Sequence, residues 1–105
     1  MSSSVVGTFT RNSANRVTAT FVIDQIMRSF TATISPAIQP FTSNQAKLTY
    51  DDLEKLTGTR NYSGRVGIND FSLTLDNGVT IVGELNPPGI QPASTVDGTG
   101  NWEES

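Results

Sequence analysis

Six segments of this chain alternate apolar and polar residues with a period of two. They cover 5–10, 16–23, 26–34, 61–68, 71–75 and 79–85. Successive side chains of a β-strand point to opposite faces of a sheet, so this alternation predicts strands with one buried face. Charged residues make up only 16% of the 105 residues. Many of the polar positions are Thr instead, which favours strands because of its branched Cβ.

The turns between these segments decide which residues face each other. A two-residue loop after Ile23 places it opposite Ile26, so that both side chains point to the same face. A two-residue loop after Ile68 likewise places it opposite Phe71. A three-residue loop that ends at Gly78 puts this glycine in the left-handed position of a type I turn followed by a bulge.

Together, the strands and turns predict two three-stranded antiparallel meanders, at 5–34 and 61–85. Each meander has one apolar face and is not expected to be stable alone. We therefore expect a mainly β fold in which the two faces pack as a sandwich or a small flattened barrel. This domain covers 1–85, and the Pro- and Gly-rich residues 86–105 are expected to form an extended C-terminal tail.

The connection between the meanders predicts one short helix at about 50–57. Thr49 is a suitable N-cap, and Asp52 three residues later completes a capping box. Such a short helix needs tertiary contacts to form. Leu53 and Leu56 are therefore expected to pack against one open end of the core.

The chain has no His and no Cys, which excludes Ser-His-Asp triads, thiolate nucleophiles and Cys or His metal sites. No catalytic motif is present either, so we predict no enzymatic activity, no metal and no cofactor. The net charge of −3, with scattered basic residues, predicts no nucleic-acid partner. The sequence shows neither a membrane-spanning apolar stretch nor a signal peptide. The expectation is a soluble protein that is cytoplasmic or released by a non-Sec route.

The predicted hairpin at 16–34 carries candidate binding residues on both faces. Arg28 interrupts the apolar face, where it either packs at the rim of the core or anchors an anion or carboxylate. On the opposite face, Thr18 lies opposite Thr31 and Thr20 opposite Ser29 in the predicted register. These hydroxyl groups either form a solvated sheet face or bind a sugar, another protein or a second copy of the chain.

The predicted tail carries Asn101 and Trp102, the single tryptophan. Trp102 either docks on the domain or offers an aromatic platform to a sugar or a protein partner. The leading hypothesis is a non-enzymatic binding or assembly module that acts through the Thr-rich face, loops and tail, as a homo-oligomer or with another protein.

Two alternatives remain at this point. One is a lectin-like carbohydrate-binding protein that uses Trp102. The other is a small-ligand carrier, or an enzyme, with an internal cavity that Arg28 anchors. The side chains expected to line that cavity are Phe21, Phe30, Leu73 and Ile81.

Overall fold

The chain forms a closed barrel of eight antiparallel strands in a computed structural model that describes residues 3–13, 16–34, 41–86 and 93–104. The strands are β1 (Ser3–Ser13), β2 (Arg16–Ile23), β3 (Ile26–Thr33), β4 (Thr42–Tyr50), β5 (Thr59–Val66), β6 (Asp70–Leu75), β7 (Thr80–Glu84) and β8 (Ser94–Glu104). Their order around the barrel is β1-β2-β3-β8-β5-β6-β7-β4, and the pairing of β4 with β1 completes the ring.

The barrel confirms a mainly β fold and corrects the prediction of two meanders packed face to face. Two strands that the sequence analysis missed, β4 and β8, lie between the β1–β3 group and the β5–β7 group. β4 pairs with β1 and β7, and β8 pairs with β3 and β5. Each group is therefore hydrogen-bonded to the other through β4 at one edge and through β8 at the other edge, which makes one continuous sheet.

Strand β8 also corrects the predicted extended tail at 86–105. Residues 94–101 pair with β5 and residues 100–104 pair with β3, while positions 87–92 and 105 lie outside the described residues. Glycine at inward positions hides the period of two in this strand. A Cβ at Gly98, for example, would lie 2.0 Å from the carbonyl oxygen of Thr33, so no larger residue fits there.

Strand β4 escaped prediction because a β-bulge interrupts its alternation. Its partners change from Gly7–Ala46 to Phe9–Ser43, which inserts one extra residue on the β4 side. The bulge turns the polar side chain of Ser43 into the interior, where it is fully buried. An apolar–polar pattern cannot reveal a strand that changes phase in this way.

The predicted helix at 50–57 is wrong. Strand β4 continues through Tyr50 and takes the residues that would have begun the helix. What remains is a single turn of 3-10 helix at Leu53–Lys55, in which the Asp52 carboxylate accepts a hydrogen bond from the backbone N–H of Glu54 at 3.0 Å. Nowhere in the described ranges is there a helix long and apolar enough to cross a membrane.

The turn between β2 and β3 has the predicted register. Ile23 pairs with Ile26, and the intervening Asp24 and Gln25 have φ angles of 53° and 68°. Positive φ at both positions is the geometry of a type I′ turn, whose twist suits a hairpin. Gly78 also adopts a positive φ, 91°, as predicted for the loop between β6 and β7.

The turn between β5 and β6 differs from the prediction by two residues. Val66, rather than Ile68, lies opposite Phe71. Because the shift is an even number of residues, every side chain of β5 stays on its predicted face. Ile68 itself falls in the loop and is 46% exposed.

Aromatic rings meet across the interior of the barrel. Phe9 on β1 stacks against Phe71 on β6 with 4.7 Å between ring centroids. Phe30 on β3 packs against Trp102 on β8 with 5.0 Å between centroids. A barrel of eight strands is just wide enough for its own side chains to fill, and burial of these large rings supplies much of the hydrophobic stabilisation.

One end of the barrel carries the β2–β3 turn, the β4–β5 connection and the β6–β7 turn, and we call it the capped end. Leu56 in the β4–β5 connection is buried there, as predicted, whereas the side chain of Leu53 lies outside the described part of the structure. The amide of Asn77 donates to the Lys55 carbonyl oxygen at 3.0 Å. This bond ties the connection to the β6–β7 turn.

Candidate functional site

The outward side chains of β1, β2 and β3 include a charge-free surface, which we call the β1–β3 face; Arg16, at the start of β2, lies at its border. Its members are Val6, Thr8, Thr10, Thr18, Thr20, Val22, Met27, Ser29 and Thr31. The sequence analysis found the hydroxyl residues of β2 and β3. It did not consider the outward side chains of β1, where Thr8 and Thr10 lie opposite Thr20 and Thr18 of β2.

Two rows of hydroxyl side chains cross this face. One row is Thr10, Thr18 and Thr31, and the other is Thr8, Thr20 and Ser29. Neighbouring strands lie about 4.8 Å apart, so adjacent members of a row are close neighbours. Asn101 on β8 continues the first row beside Thr31, and its side-chain oxygen accepts a hydrogen bond from the Thr59 hydroxyl at 2.5 Å.

A third row of the face, nearer the capped end, is apolar. Val22 lies opposite Met27, and Val6 occupies the matching outward position on β1. Their exposures are high for large apolar residues, at 63% for Val6, 56% for Val22 and 45% for Met27. Adjacent exposed apolar side chains with a polar border are typical of interaction sites.

Arg28 lies on the inward face of β3 near the capped end, opposite Phe21 as predicted. The whole residue is only 9% exposed. Its Nη1 lies 3.1 Å from Oε2 of Glu104, the residue directly opposite on β8. Its Nε is buried and has no hydrogen-bond partner among the residues that the structure describes. Both interpretations from sequence, a rim position and an anion anchor, are compatible with this placement.

Trp102 faces the interior and is only 8% exposed. Its ring packs on Phe30, and its indole Nε1 is buried without a hydrogen-bond partner in the described part of the chain. A ring in this position cannot stack on a sugar, so the docked interpretation from sequence fits the structure. The predicted cavity residues are also inward, each at most 1% exposed, namely Phe21, Phe30, Leu73 and Ile81. The carrier hypothesis stays a prediction.

The structure therefore separates the six predicted binding residues into two groups. Thr18, Thr20, Thr31 and Asn101 share the outer surface of adjacent strands. Arg28 and Trp102 lie inside the barrel, on neighbouring strands at its capped end. The outer group presents hydroxyl and amide groups to solvent, and the inner group presents N–H donors to a buried region.

A cleft that the sequence analysis did not predict lies on the outer wall of β5, β6 and β7. Its volume is about 450 Å³, and it is lined by Arg65, Asp70, Phe71, Ser72, Val82, Gly83 and Glu84. Asp70 lies directly opposite Glu84, and Arg65 opposite Ser72. Finding it from sequence requires the true register of β5 on β6, which the prediction placed two residues away.

The described part of the chain contains no group of three or more His, Cys, Asp or Glu side chains placed to hold a metal ion. The chemistry at hand is therefore that of hydroxyl groups, amides, guanidinium groups and scattered carboxylates. These groups bind ligands by hydrogen bonds and ion pairs. Comparison of the chain with protein-family models, curated proteins and solved structures finds no match.

Proposed function

We propose that this protein is a non-enzymatic assembly module that binds a second copy of itself through the β1–β3 face. The observation that carries the proposal is the apolar row on this face. Val6, Val22 and Met27 are about half exposed or more, on three neighbouring strands. Covering them with a matching surface removes apolar area from water, at roughly 25 cal/mol per Å².

The electrostatics of the face favour self-association. The chain has a net charge of −3, so two copies repel each other weakly as they approach. The β1–β3 face itself carries no charge, and Arg16, Lys47 and Glu103 lie at its border. A two-fold axis would set its hydroxyl rows against each other, and hydroxyl groups both donate and accept hydrogen bonds.

The size of the face sets the expected strength. Three strands and three outward rows cover roughly 300 Å² at ordinary strand spacings. A standard stable interface buries roughly 800 Å² on each partner. We therefore expect a weak, reversible dimer, with a dissociation constant in the micromolar range or above, rather than a permanent one.

Sedimentation velocity over a wide concentration range tests this proposal. The double variant Val22→Lys, Met27→Lys places like charges across the two-fold axis and should remain monomeric at concentrations where the wild type sediments faster. Ile68→Lys is the matched control, because Ile68 is 46% exposed but lies in the β5–β6 loop. A wild type that stays monomeric throughout, or a double variant that associates as the wild type does, contradicts the proposal.

Carbohydrate binding is the second candidate, and the outer cleft supports it. A volume of about 450 Å³ lies within the range of small-ligand sites, which combine an apolar floor with a few polar groups. Val82 can pack against the C–H surface of a sugar ring. Asp70 and Glu84 can accept hydrogen bonds from sugar hydroxyls, and Arg65 can donate them.

A glycan array, followed by titration calorimetry on any hit, tests the second candidate. Asp70→Asn and Glu84→Gln should each weaken binding about tenfold or more, since hydrogen bonds to charged groups are the stronger ones. Asp97→Asn, at an exposed carboxylate on β8 that does not line the cleft, should leave binding unchanged. An array without hits removes this candidate and leaves the assembly proposal intact.

A further inference from the structure

Two buried residues with N–H donors, Arg28 and Trp102, lie close together inside the capped end of the barrel. Arg28 lies opposite Glu104, and Phe30 lies opposite Trp102, so Trp102 is two residues from Glu104 on the same inward face of β8. Arg28 and Trp102 are thus diagonal cross-strand neighbours, a separation that long and aromatic side chains bridge. Arg28 is 9% exposed and Trp102 is 8% exposed.

Donors outnumber acceptors between these two residues. A guanidinium group has five N–H donors and no acceptor, and an indole has one donor and no acceptor. The Glu104 carboxylate lies 3.1 Å from Nη1 of Arg28. Within the described residues, neither Nε of Arg28 nor Nε1 of Trp102 has a hydrogen-bond partner, although both atoms are buried. Buried polar groups of folded proteins are nearly always paired.

The charge of this site favours a negative acceptor. Glu104 is the carboxylate that pairs with Arg28, and its side chain is 55% exposed, whereas that of Arg28 is 11% exposed. A half-solvated carboxylate at a strand end gains little from an ion pair because water competes for it. An incoming carboxylate can therefore replace it on the guanidinium fork, which matches a carboxylate in two parallel hydrogen bonds.

We propose that the capped end holds a binding site for a small carboxylate. Its oxygens accept hydrogen bonds from the guanidinium of Arg28 and from the indole N–H of Trp102, and Glu104 occupies part of the site until the ligand displaces it. Entry runs past Glu104, which lies at the exposed end of β8. This site is independent of the β1–β3 face, because its residues point to the opposite side of the sheet.

The single tryptophan reports on this site directly. Sodium formate is the probe, titrated while sodium chloride, whose single-atom anion cannot accept the two parallel hydrogen bonds of the guanidinium fork, keeps the total salt constant. The expected result is a saturable change in Trp102 emission. Glu104→Gln removes the competing charge and should tighten formate binding about three- to tenfold, in keeping with the modest strength of a partly exposed ion pair.

Two arginine variants separate the site from general salt effects. Arg28→Met keeps the buried stem but removes the donors, and it should abolish the saturable change. Arg16→Met, at an exposed arginine on β2, should leave it unchanged. Circular dichroism confirms that each variant is folded. If neither the wild type nor the folded Glu104→Gln variant shows saturation, or if Arg16→Met abolishes it, the proposal is overturned.

Discussion

The phenol of Tyr62 on β5 donates a hydrogen bond to the carbonyl oxygen of Thr33 on β3, at 2.6 Å, although strand β8 lies between β5 and β3. Tyr62 reaches over β8 at Gly98, its direct cross-strand partner. A Cβ at Gly98 would lie 3.0 Å from Cε1 of Tyr62 and 2.0 Å from the Thr33 carbonyl oxygen. The missing side chain therefore lets one residue connect three strands.

Gly98→Ala should destabilise the barrel by about 2–3 kcal/mol, the upper part of the range for overpacking a well-filled interior. The new methyl group meets backbone on one side and the Tyr62 ring on the other. Urea unfolding measures the change. Gly58→Ala is the control, because Gly58 has a φ of 75° but, among the described residues other than its two chain neighbours, no atom within 4 Å of the added Cβ, so its cost of about 1 kcal/mol comes from conformation alone. An equal or smaller cost at Gly98 would contradict this account.

Tyr62→Phe should cost about 1 kcal/mol, the usual net contribution of one hydrogen bond. The ring and its edge-on contact with Phe30 remain, so only the bond to Thr33 is lost. Thermal or urea unfolding gives the change. Tyr50→Phe, at a half-buried position near the capped end, serves as the control and should cost less. A neutral Tyr62→Phe would show that the phenol is equally stable in water.

The same phenol makes stability depend on alkaline pH. Burial, reinforced by the charge of Asp97, raises the pKa of Tyr62 well above its ordinary value. In the unfolded chain this phenol loses its proton near pH 10, whereas in the folded chain it keeps it. Its contribution is therefore complete below about pH 10 and is lost as the pH rises toward the folded pKa. Wild-type urea midpoints should fall more steeply above pH 10 than those of Tyr62→Phe, and parallel curves would rule this out.

Gln25→Gly should stabilise the protein by about 0.5–1 kcal/mol, because a positive φ is strained for Gln and free of strain for Gly. Gln25 has a φ of 68° in the β2–β3 turn, and Asp-Gly is a favoured type I′ pair. Thr74→Gly, at an exposed position of β6, is the control and should destabilise by a similar amount. Destabilisation by Gln25→Gly would mean that its side chain makes a stabilising contact.

Ser43→Ala should cost about 1–3 kcal/mol, the penalty for leaving buried polar groups without a partner. The Ser43 hydroxyl donates to the Glu84 carbonyl oxygen at 2.5 Å and accepts from the backbone N–H of Gln45 at 3.2 Å. These two bonds hold the bulge of β4 in place. Ser72→Ala, at an outward and exposed position on β6, should be nearly neutral. Equal effects of the two substitutions would show that the bulge holds without the hydroxyl.

The strands that sequence predicted are those whose alternation and turn chemistry agree. Around the β2–β3 turn, both signals place Ile23 opposite Ile26, and the structure has this pair. Strand β4 failed because the bulge at Ser43 shifts its phase, and β8 failed because glycines stand at inward positions where backbone approaches closely. In both cases local packing requirements outweigh the average pattern of a strand.

The candidate sites divide in the same way. The pairing of Thr18 with Thr31 could be predicted from the sequence, since one hairpin contains both residues. The pairing of Arg28 with Glu104 was not, because it joins strands that are far apart in sequence and depends on where β8 inserts. The cleft depends on a register that a two-residue shift in one loop obscured.

The insertion of β8 between β3 and β5 has a consequence for synthesis on the ribosome. In a nascent chain that ends after β7, the edges of β3 and β5 have no partner strand and the apolar interior is open to water. Unpaired edges of this kind can pair with strands of other chains. The barrel closes only after residues 94–104 have left the exit tunnel and paired between β3 and β5. A synthetic peptide with the sequence of 94–104 should therefore compete with β8 for its place in the sheet, and a chain that lacks β8 should bind this peptide.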